Sequence, residues 1–238
     1  MFIQQPYSFT DPLAGSQWSS PDMVAGFAQS APNATLIRYS ESLQGARPLQ
    51  VVDVGCGAGR NLIPLARMGC RVLGVDLSWP MLRAAAERVR REHLEDRVTL
   101  ALASMDRLPV SWATADLIIA HGVWNLAKTS TELRGAIREA TRIAKPGAAL
   151  FVFTFSRNTL PPDAQSIPGE PFAFTQFSGE PQTFLTSQQL ASELAYAGFS
   201  ADPAVPLTEH NKRAAGARSV GGPPVIYEAA YRYGLTKG

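Results

Sequence analysis

Apolar and polar positions alternate along this chain in two rhythms. Short runs of aliphatic and β-branched residues at 50–54, 71–76, 97–102, 115–120 and 149–155 have the length of buried strands. Between them, apolar residues recur every third or fourth position. That spacing predicts a helix over 58–68 stopped by Gly69, and one over 78–93. A third is opened by the capping box Thr129-Ser130-Thr131-Glu132 and ends before Pro146-Gly147. Upstream, Ser20-Pro21 reads as an N-cap with proline in the first turn, and Asn33 as the cap of a second helix ending near Gly45. Downstream, Thr186-Ser187-Gln188-Gln189 opens a helix that stops at Gly198, followed by strands near 200–207 and 225–233. Seven strands alternating with helices predict an α/β fold, a doubly wound and mostly parallel sheet with helices on both faces.

Residues 157–185 break this rhythm. They hold Pro161, Pro162, Pro168, Pro171 and Pro181, with Phe172, Phe174 and Phe177 between them. A loop of that length is expected to be a lid, a binding loop or a disordered segment. The chain divides into an N-terminal arm with cap helices (1–45), a strand–helix core (46–156), and a lid loop with C-terminal strands completing the same sheet (157–238). The basic, glycine-containing stretch from Asn211 to Gly222 reads as a mobile loop between the last two strands. No internal repeat is visible.

Composition narrows the function more than the fold. Of 238 residues, 45% are apolar, enough for a sizeable core, and the net charge of +2 leaves no electrostatic footprint for duplex nucleic acid. Cys56 and Cys70 are the only cysteines, and with three scattered histidines they give no metal-ligand spacing. The first residues, Met1-Phe2-Ile3-Gln4-Gln5-Pro6, lack the basic stretch and apolar core of a signal peptide. No apolar run approaches the ~18–20 residues of a membrane span. A cytoplasmic monomer or homodimer acting on a small molecule, without nucleic acid, membrane or metal, is the expectation.

The chemistry concentrates in Asp53-Val54-Gly55-Cys56-Gly57-Ala58-Gly59-Arg60-Asn61. A buried strand runs into a turn stripped of side chains and then into a helix, an arrangement that aims backbone amides at a ligand. Asp76, ending the next strand, lies where an acid can accept ribose hydroxyls. A dinucleotide cradle requires G-x-G-x-x-G, with the third glycine allowing close helix–strand packing. Here the spacing is G-x-G-x-G, and Arg60 stands in the third glycine's place. Asp53, two residues before the first glycine, suits a ligand with a cationic amino-acid end better than a diphosphate.

These residues resemble the first motif of the class I S-adenosylmethionine-dependent methyltransferases, and the resemblance covers roughly residues 48–155. Val75-Asp76-Leu77-Ser78 with Met81-Leu82 is similar to the second motif, and Ala103-Ser104-Met105-Asp106 with Leu108-Pro109 to the third. Asp116-Leu117-Ile118-Ile119-Ala120-His121 is similar to the fourth. Ile143-Ala144-Lys145-Pro146-Gly147-Ala148 is similar to the turn before the fifth strand, with alanine replacing one glycine. The Gly-Cys-Gly-x-Gly-Arg-Asn form is similar to the small-molecule subgroup that includes tellurite-resistance-type enzymes.

The resemblance implies a Rossmann-like core with an antiparallel last strand and S-adenosylmethionine as cofactor. It implies that Gly55, Gly57 and the adjacent backbone approach the methionine part, that Asp53 orients it, and that Asp76 accepts both ribose hydroxyls. Leu77 and Met105 would sandwich the adenine, with Asp106 accepting from its amine. Cys56, Gly59, Asn61, Met81 and His121 complete the implied cofactor set. Each residue also has a plainer reading: Asp76 as a turn acid, Asp106 as a solvated loop acid, Leu77 and Met105 as core, Cys56 as a small filler.

The acceptor side is less legible. After the fourth strand come His121-Gly122-Val123-Trp124-Asn125, without the Asn/Asp-Pro-Pro-aromatic tetrad of enzymes that methylate exocyclic base amines. His121 is a candidate general base, and equally a packing or cofactor-contact residue. Trp124, Asn125, Phe174, Phe177, Arg38 and Tyr7 are candidates to line an acceptor pocket. A methyltransferase acting on a small molecule is the leading reading. A non-catalytic S-adenosylmethionine-binding protein or a nicotinamide oxidoreductase are the alternatives.

Overall fold

The computed structural model describes residues 11–212 and 222–234. Tyr7 and most of the 211–222 stretch lie outside these residues. The strands are β1 (Gln50–Val54), β2 (Arg71–Asp76), β3 (Val98–Leu102), β4 (Ala115–His121), β5 (Ala144–Phe155), β6 (Ala173–Phe174), β7 (Gln182–Thr183), β8 (Phe199–Ala201), β9 (Thr208–His210) and β10 (Ile226–Tyr233). The helices are α1 (Pro21–Gln29), α2 (Ala34–Leu43), α3 (Leu62–Arg67), α4 (Trp79–Arg91), α5 (Ser130–Ile143) and α6 (Ser187–Tyr196).

The main sheet has the order β3-β2-β1-β4-β5-β10-β8, with β9 also pairing β10. The first five strands are parallel to one another, and β10 runs antiparallel to β5. The strand order reverses beside β1, so the carboxyl ends of β1 and β4 flank a crevice, the usual ligand site of open α/β sheets.

Period-two alternation sorts the core into two layers. Along β4, Leu117 and Ile119 face a cluster containing Leu36, Leu62, Leu65 and Leu82 from α2, α3 and α4. Ile118 and Ala120 face the opposite cluster, with Leu133, Ile137 and Ile143 from α5 and Leu190 and Leu194 from α6. Each such fully buried aliphatic side chain contributes roughly 1.5–3 kcal/mol. A helix cap contributes about 1 kcal/mol, so packing holds these helices and the caps set where they begin. Ser20, Asn33, Ser78, Thr129 and Thr186 all accept from the backbone N–H three residues on.

Four boundaries differ from expectation. Helix α3 begins at Leu62 rather than 58, because Gly57 and Gly59 sit at φ 53° and 79° and hold residues 56–61 in a turn. The reciprocal capping box exists only at α6; at α5, Glu132 reaches the Lys128 N–H instead of that of Thr129. The single strand expected near 200–207 is two short ones, β8 and β9, making eight strands in the sheet where seven were expected. Pro203 and Pro206 carry no N–H, and the chain bulges between them around the buried Asp202. That carboxylate accepts from the Tyr39 hydroxyl (2.7 Å), the Ala204 N–H (2.9 Å) and the Arg232 Nε (2.6 Å). Residues 157–185 also contain structure, the small antiparallel hairpin of β6 and β7. The hairpin docks through the Thr183 hydroxyl onto the Trp124 carbonyl at 2.8 Å.

Candidate cofactor and acceptor site

The turn after β1 is bound to the end of β2. The N–H groups of Gly55 and Cys56 both donate to the Val75 carbonyl at 2.7 and 3.0 Å, and the Gly57 N–H donates to Asp76 Oδ2 at 2.8 Å. Gly55 is required twice over: its φ is 71°, and a Cβ there would lie 2.7 Å from the Val123 Cβ. At Gly57 an added Cβ would come 3.4 Å from the ring of Phe27, so α1 already covers the turn closely. Because α3 starts five residues beyond Gly57, no helix end lies at this turn, and the N–H groups of Gly55, Cys56, Gly57 and Gly59 are all bonded within the protein.

Two carboxylates face this turn, Asp53 buried and Asp76 half-buried. Asp53 is 1% exposed, and its Oδ2 meets no donor. Burial pushes its carboxyl up to about 7, with the Arg60 charge opposing the shift and Asp76 adding to it. An acid left unpaired in the interior is costly, and such a group at the carboxyl end of β1 is a functional-site signal. Asp76 differs. Burial raises its pKa too, but the N–H groups of Ser78 and Gly57 donate to its two oxygens at 2.8 Å each. A carboxylate has about four acceptor positions, so Asp76 retains capacity for ligand hydroxyls.

The other residues that the resemblance implied for the cofactor differ in burial. Leu77 is half-buried, Met81 and Met105 are buried, and Asn61 is buried with its Oδ1 accepting from the Asn33 N–H at 2.9 Å. Asp106 is exposed and accepts from the Ser104 hydroxyl. Cys56 is buried with its thiol pKa pushed well up by desolvation, so it is a filler and no nucleophile. The N-terminal segment closes over the same place: the Ser78 hydroxyl donates to the Trp18 carbonyl at 2.8 Å, and Trp18 packs edge-on against Phe27.

His121 sits beside this turn in a crowded polar contact. Its ring stacks on Phe153 at 4.1 Å. Arg60 Nη2 lies 2.9 Å from Nδ1, and Asn33 Nδ2 lies 3.2 Å from Nε2. A neutral imidazole offers one lone pair to these two donors. Burial, reinforced by the Arg60 charge, drives its pKa down to about 3. With Arg60 in place, His121 is an acceptor for hydrogen bonds and takes up no proton near neutral pH.

The other acceptor-side candidates divide. Trp124 is fully buried core. Asn125 is 2% exposed with its Oδ1 unpartnered. Phe174 is buried against Phe184, while Phe177 packs edge-on against Phe155 and Phe184 and is 40% exposed. These rings hold the loop to the body of the protein. Arg38 is exposed on α2, next to Tyr39, which is buried on Asp202. Three residues of this region were not singled out for the site from sequence: Asn33, Phe153 and Glu228. Glu228 is 5% exposed and accepts from Asn33 Nδ2 at 2.7 Å. An acid inside the apolar run Val225-Ile226-Tyr227-Glu228-Ala229-Ala230-Tyr231 is the signal that marked it.

Residues 51–147 match the family described as methyltransferase domain. This stretch is a methyltransferase domain. The chain is 33% identical over 147 residues to "Methyltransferase GfsG" of Streptomyces halstedii, covering 60% of this chain and 51% of that protein. It is 37% identical over 115 residues to the ubiquinone/menaquinone biosynthesis C-methyltransferase UbiE of Syntrophotalea carbinolica, covering 47% of this chain and 46% of the relative. The chain thus spans about half the length of these curated relatives. Its fold is similar to that of a solved methyltransferase from Methanosarcina mazei, with a TM-score of 0.65 at 19% identity over 87% of this chain and all of the other. The resemblance to tellurite-resistance-type enzymes is not carried by these matches. Among the described residues of the methyltransferase domain, no group of three or more His, Cys, Asp or Glu is placed to hold a metal ion, and no helix is long and apolar enough to cross a membrane.

Proposed function

We propose that this chain binds S-adenosylmethionine at the turn after β1 and transfers its methyl group to a small-molecule acceptor. The observation that carries the reading is the partnerless Oδ2 of buried Asp53, at the end of β1 beside a turn whose glycines take positive φ. A cationic amino-acid end would relieve that buried acid, which a dinucleotide's diphosphate would not. Asp76, with open acceptor positions, would take the ribose hydroxyls. Leu77 and Met105 would flank the adenine, under the cover of Trp18 and Phe27.

When bound, the cofactor supplies a methyl group already activated on a sulfonium. The protein's own contribution is alignment and exclusion of water, which together can lower a barrier by ~7–11 kcal/mol. Asp53 and Asp76 fix the cofactor's two polar ends, the segment through α1 covers it, and the rim at His121 and Asn125 receives the acceptor. One relative carries the name ubiquinone/menaquinone biosynthesis C-methyltransferase, which supports a small acceptor here. Incubation of the full chain with methyl-labelled S-adenosylmethionine and a small-molecule acceptor library tests the reading. Acceptor-dependent release of S-adenosylhomocysteine is expected. Cofactor binding without transfer to any acceptor would favour a sensor or partner subunit instead.

A further inference from the structure

The loop that follows β3 is fastened to α5. It leaves the sheet beside the turn after β1: the Ala103 N–H donates to the Asp76 carbonyl at 3.2 Å, and Asp76 Oδ2 accepts from the Gly57 N–H. Met105 is buried in the same cluster as Val54 and Val75, at the ends of β1 and β2. Beyond it, the Leu108 N–H donates to Glu139 Oε2 at 2.7 Å. Arg142 donates through Nη2 to the Leu108 carbonyl at 3.0 Å and through Nη1 to the Val110 carbonyl at 2.6 Å. Glu139 and Arg142 also pair with each other at 2.6 Å, and the hydrogen bond from Arg142 holds the Glu139 carboxyl below the usual carboxylate range. Further up the same helix, a Cβ at Gly135 would lie 3.2 Å from the Cβ of Asp106. Gly135 is inside α5, where glycine is a poor helix former, and its missing side chain is what lets Asp106 approach the helix. The loop's exit is set by the end of α5 as well. The Ala113 N–H donates to the Arg142 carbonyl at 3.0 Å and the Thr114 N–H to the Ile143 carbonyl at 2.8 Å.

We propose that Gly135, Glu139 and Arg142 are positioning residues for the base end of the cofactor site, fixing the loop after β3 so that Asp106 selects an adenine nucleoside by its exocyclic amine. The proposal rests on the methyl-transfer function above and on the contact that the family resemblance assigns to Asp106. The three residues recur at four- and three-residue spacing, which puts them on one stripe of α5. Glu139 and Arg142 hold both the N–H and the carbonyl of Leu108, two residues past Asp106, so the loop can neither slide along the helix nor turn over. Asp106 itself is exposed. Packing therefore does not set its place, and the backbone held by α5 does. Its Oδ1 accepts from the Ser104 hydroxyl, and a carboxylate with about four acceptor positions keeps room for an amine donor. It accepts and does not donate, so it favours an amine over a carbonyl at the same position of the base. The ring of Trp112, lying 5.7 Å from the Arg142 guanidinium, covers the clamp from outside.

The test measures, by calorimetry on the full chain, binding of S-adenosylhomocysteine and of S-inosylhomocysteine, in which a carbonyl replaces the adenine amine. The unaltered chain is expected to prefer the first by ~10–100-fold, the range of one hydrogen bond to a charged group. Arg142→Met, which gives up both loop carbonyls, should lower this preference about fivefold or more, while affinity for S-inosylhomocysteine changes less than about threefold. Glu139→Ala should act in the same direction. Glu139→Gln, whose amide oxygen can still accept from the Leu108 N–H, should recover most of the preference. Gly135→Ala separates positioning from folding. Alanine favours the helix, so the thermal midpoint should stay within about 2 °C of the unaltered chain or rise, while the added methyl displaces Asp106 and the preference falls about threefold or more. If Arg142→Met does not fold, Gly135→Ala alone decides. Equal losses for both nucleosides, a preference unchanged in the variants, or an unaltered chain that binds both nucleosides alike would overturn the positioning role. Failure of the unaltered chain to bind S-adenosylhomocysteine would instead overturn the methyl-transfer reading beneath it.

Discussion

Replacing Asp53 by asparagine should stabilise the protein and weaken cofactor binding at once. In the folded chain Asp53 holds its proton up to about 7, against 3.8 for the free side chain. The folded state therefore binds the extra proton between those values, and its stability falls as pH rises from about 4 to about 7, then stays level. A displacement of roughly 3 pH units corresponds to about 4 kcal/mol of lost stability above pH 7. Asparagine removes the charge but leaves a buried amide at the orphaned Oδ2 position, at a cost of about 1–3 kcal/mol. A net gain of ~1–3 kcal/mol is expected at pH 8 and none below pH 4, read from urea unfolding at the two pH values. Binding should move the other way. A cationic ligand end favours ionised Asp53, so affinity for S-adenosylhomocysteine should rise with pH through 7 with proton release. In Asp53→Asn the affinity should be lower and nearly flat with pH. A variant that is less stable at pH 8, or that binds as tightly as the parent with the same pH dependence, would refute the assignment of Asp53 as an acid waiting for a cation.

Asp76→Ala should weaken S-adenosylhomocysteine binding by ~10–100-fold, because charge-assisted hydrogen bonds contribute roughly 1.5–3 kcal/mol each and the Gly57 N–H loses its partner; competition binding with labelled cofactor measures it. Gly55→Ala should lower the unfolding midpoint by the equivalent of ~2–4 kcal/mol, since its Cβ meets Val123 at 2.7 Å at a φ of 71°; a thermal scan matching the parent would be inconsistent with this packing. Tyr39→Phe should cost ~1–2 kcal/mol in urea through loss of the 2.7 Å bond to Asp202, while cofactor affinity stays unchanged, because this contact lies on β8–β10 and not at the turn.

The parallel core was readable because each strand there is a short, largely aliphatic run, with Gly55, Asp76 and Gly122 marking the ends of β1, β2 and β4. Asp53, Gly55, Gly57 and Asp76 could be placed from sequence since their chemistry depends on local backbone: three glycines with positive φ and two acids at strand ends. The acceptor side resisted for the opposite reason. His121, Glu228 and His210 lie on three strands that only the sheet register brings side by side, and Asn33 at the start of α2 reaches them by helix docking. The partner of His121 was equally hidden, because Arg60 was read as a departure from a dinucleotide motif and not as the cation that holds an imidazole neutral. The break between β8 and β9 follows from Pro203 and Pro206 together with Asp202, whose role depends on Tyr39 and Arg232 far away in sequence.

The central claim is that the turn after β1 is a binding site for S-adenosylmethionine and not for a dinucleotide. Isothermal titration of the chain with S-adenosylhomocysteine, and separately with NADH, addresses it directly. The account predicts one-to-one binding of S-adenosylhomocysteine in the micromolar range, weakened by Asp76→Ala, and no heat with NADH. Saturable binding of NADH, with none of S-adenosylhomocysteine, would contradict it.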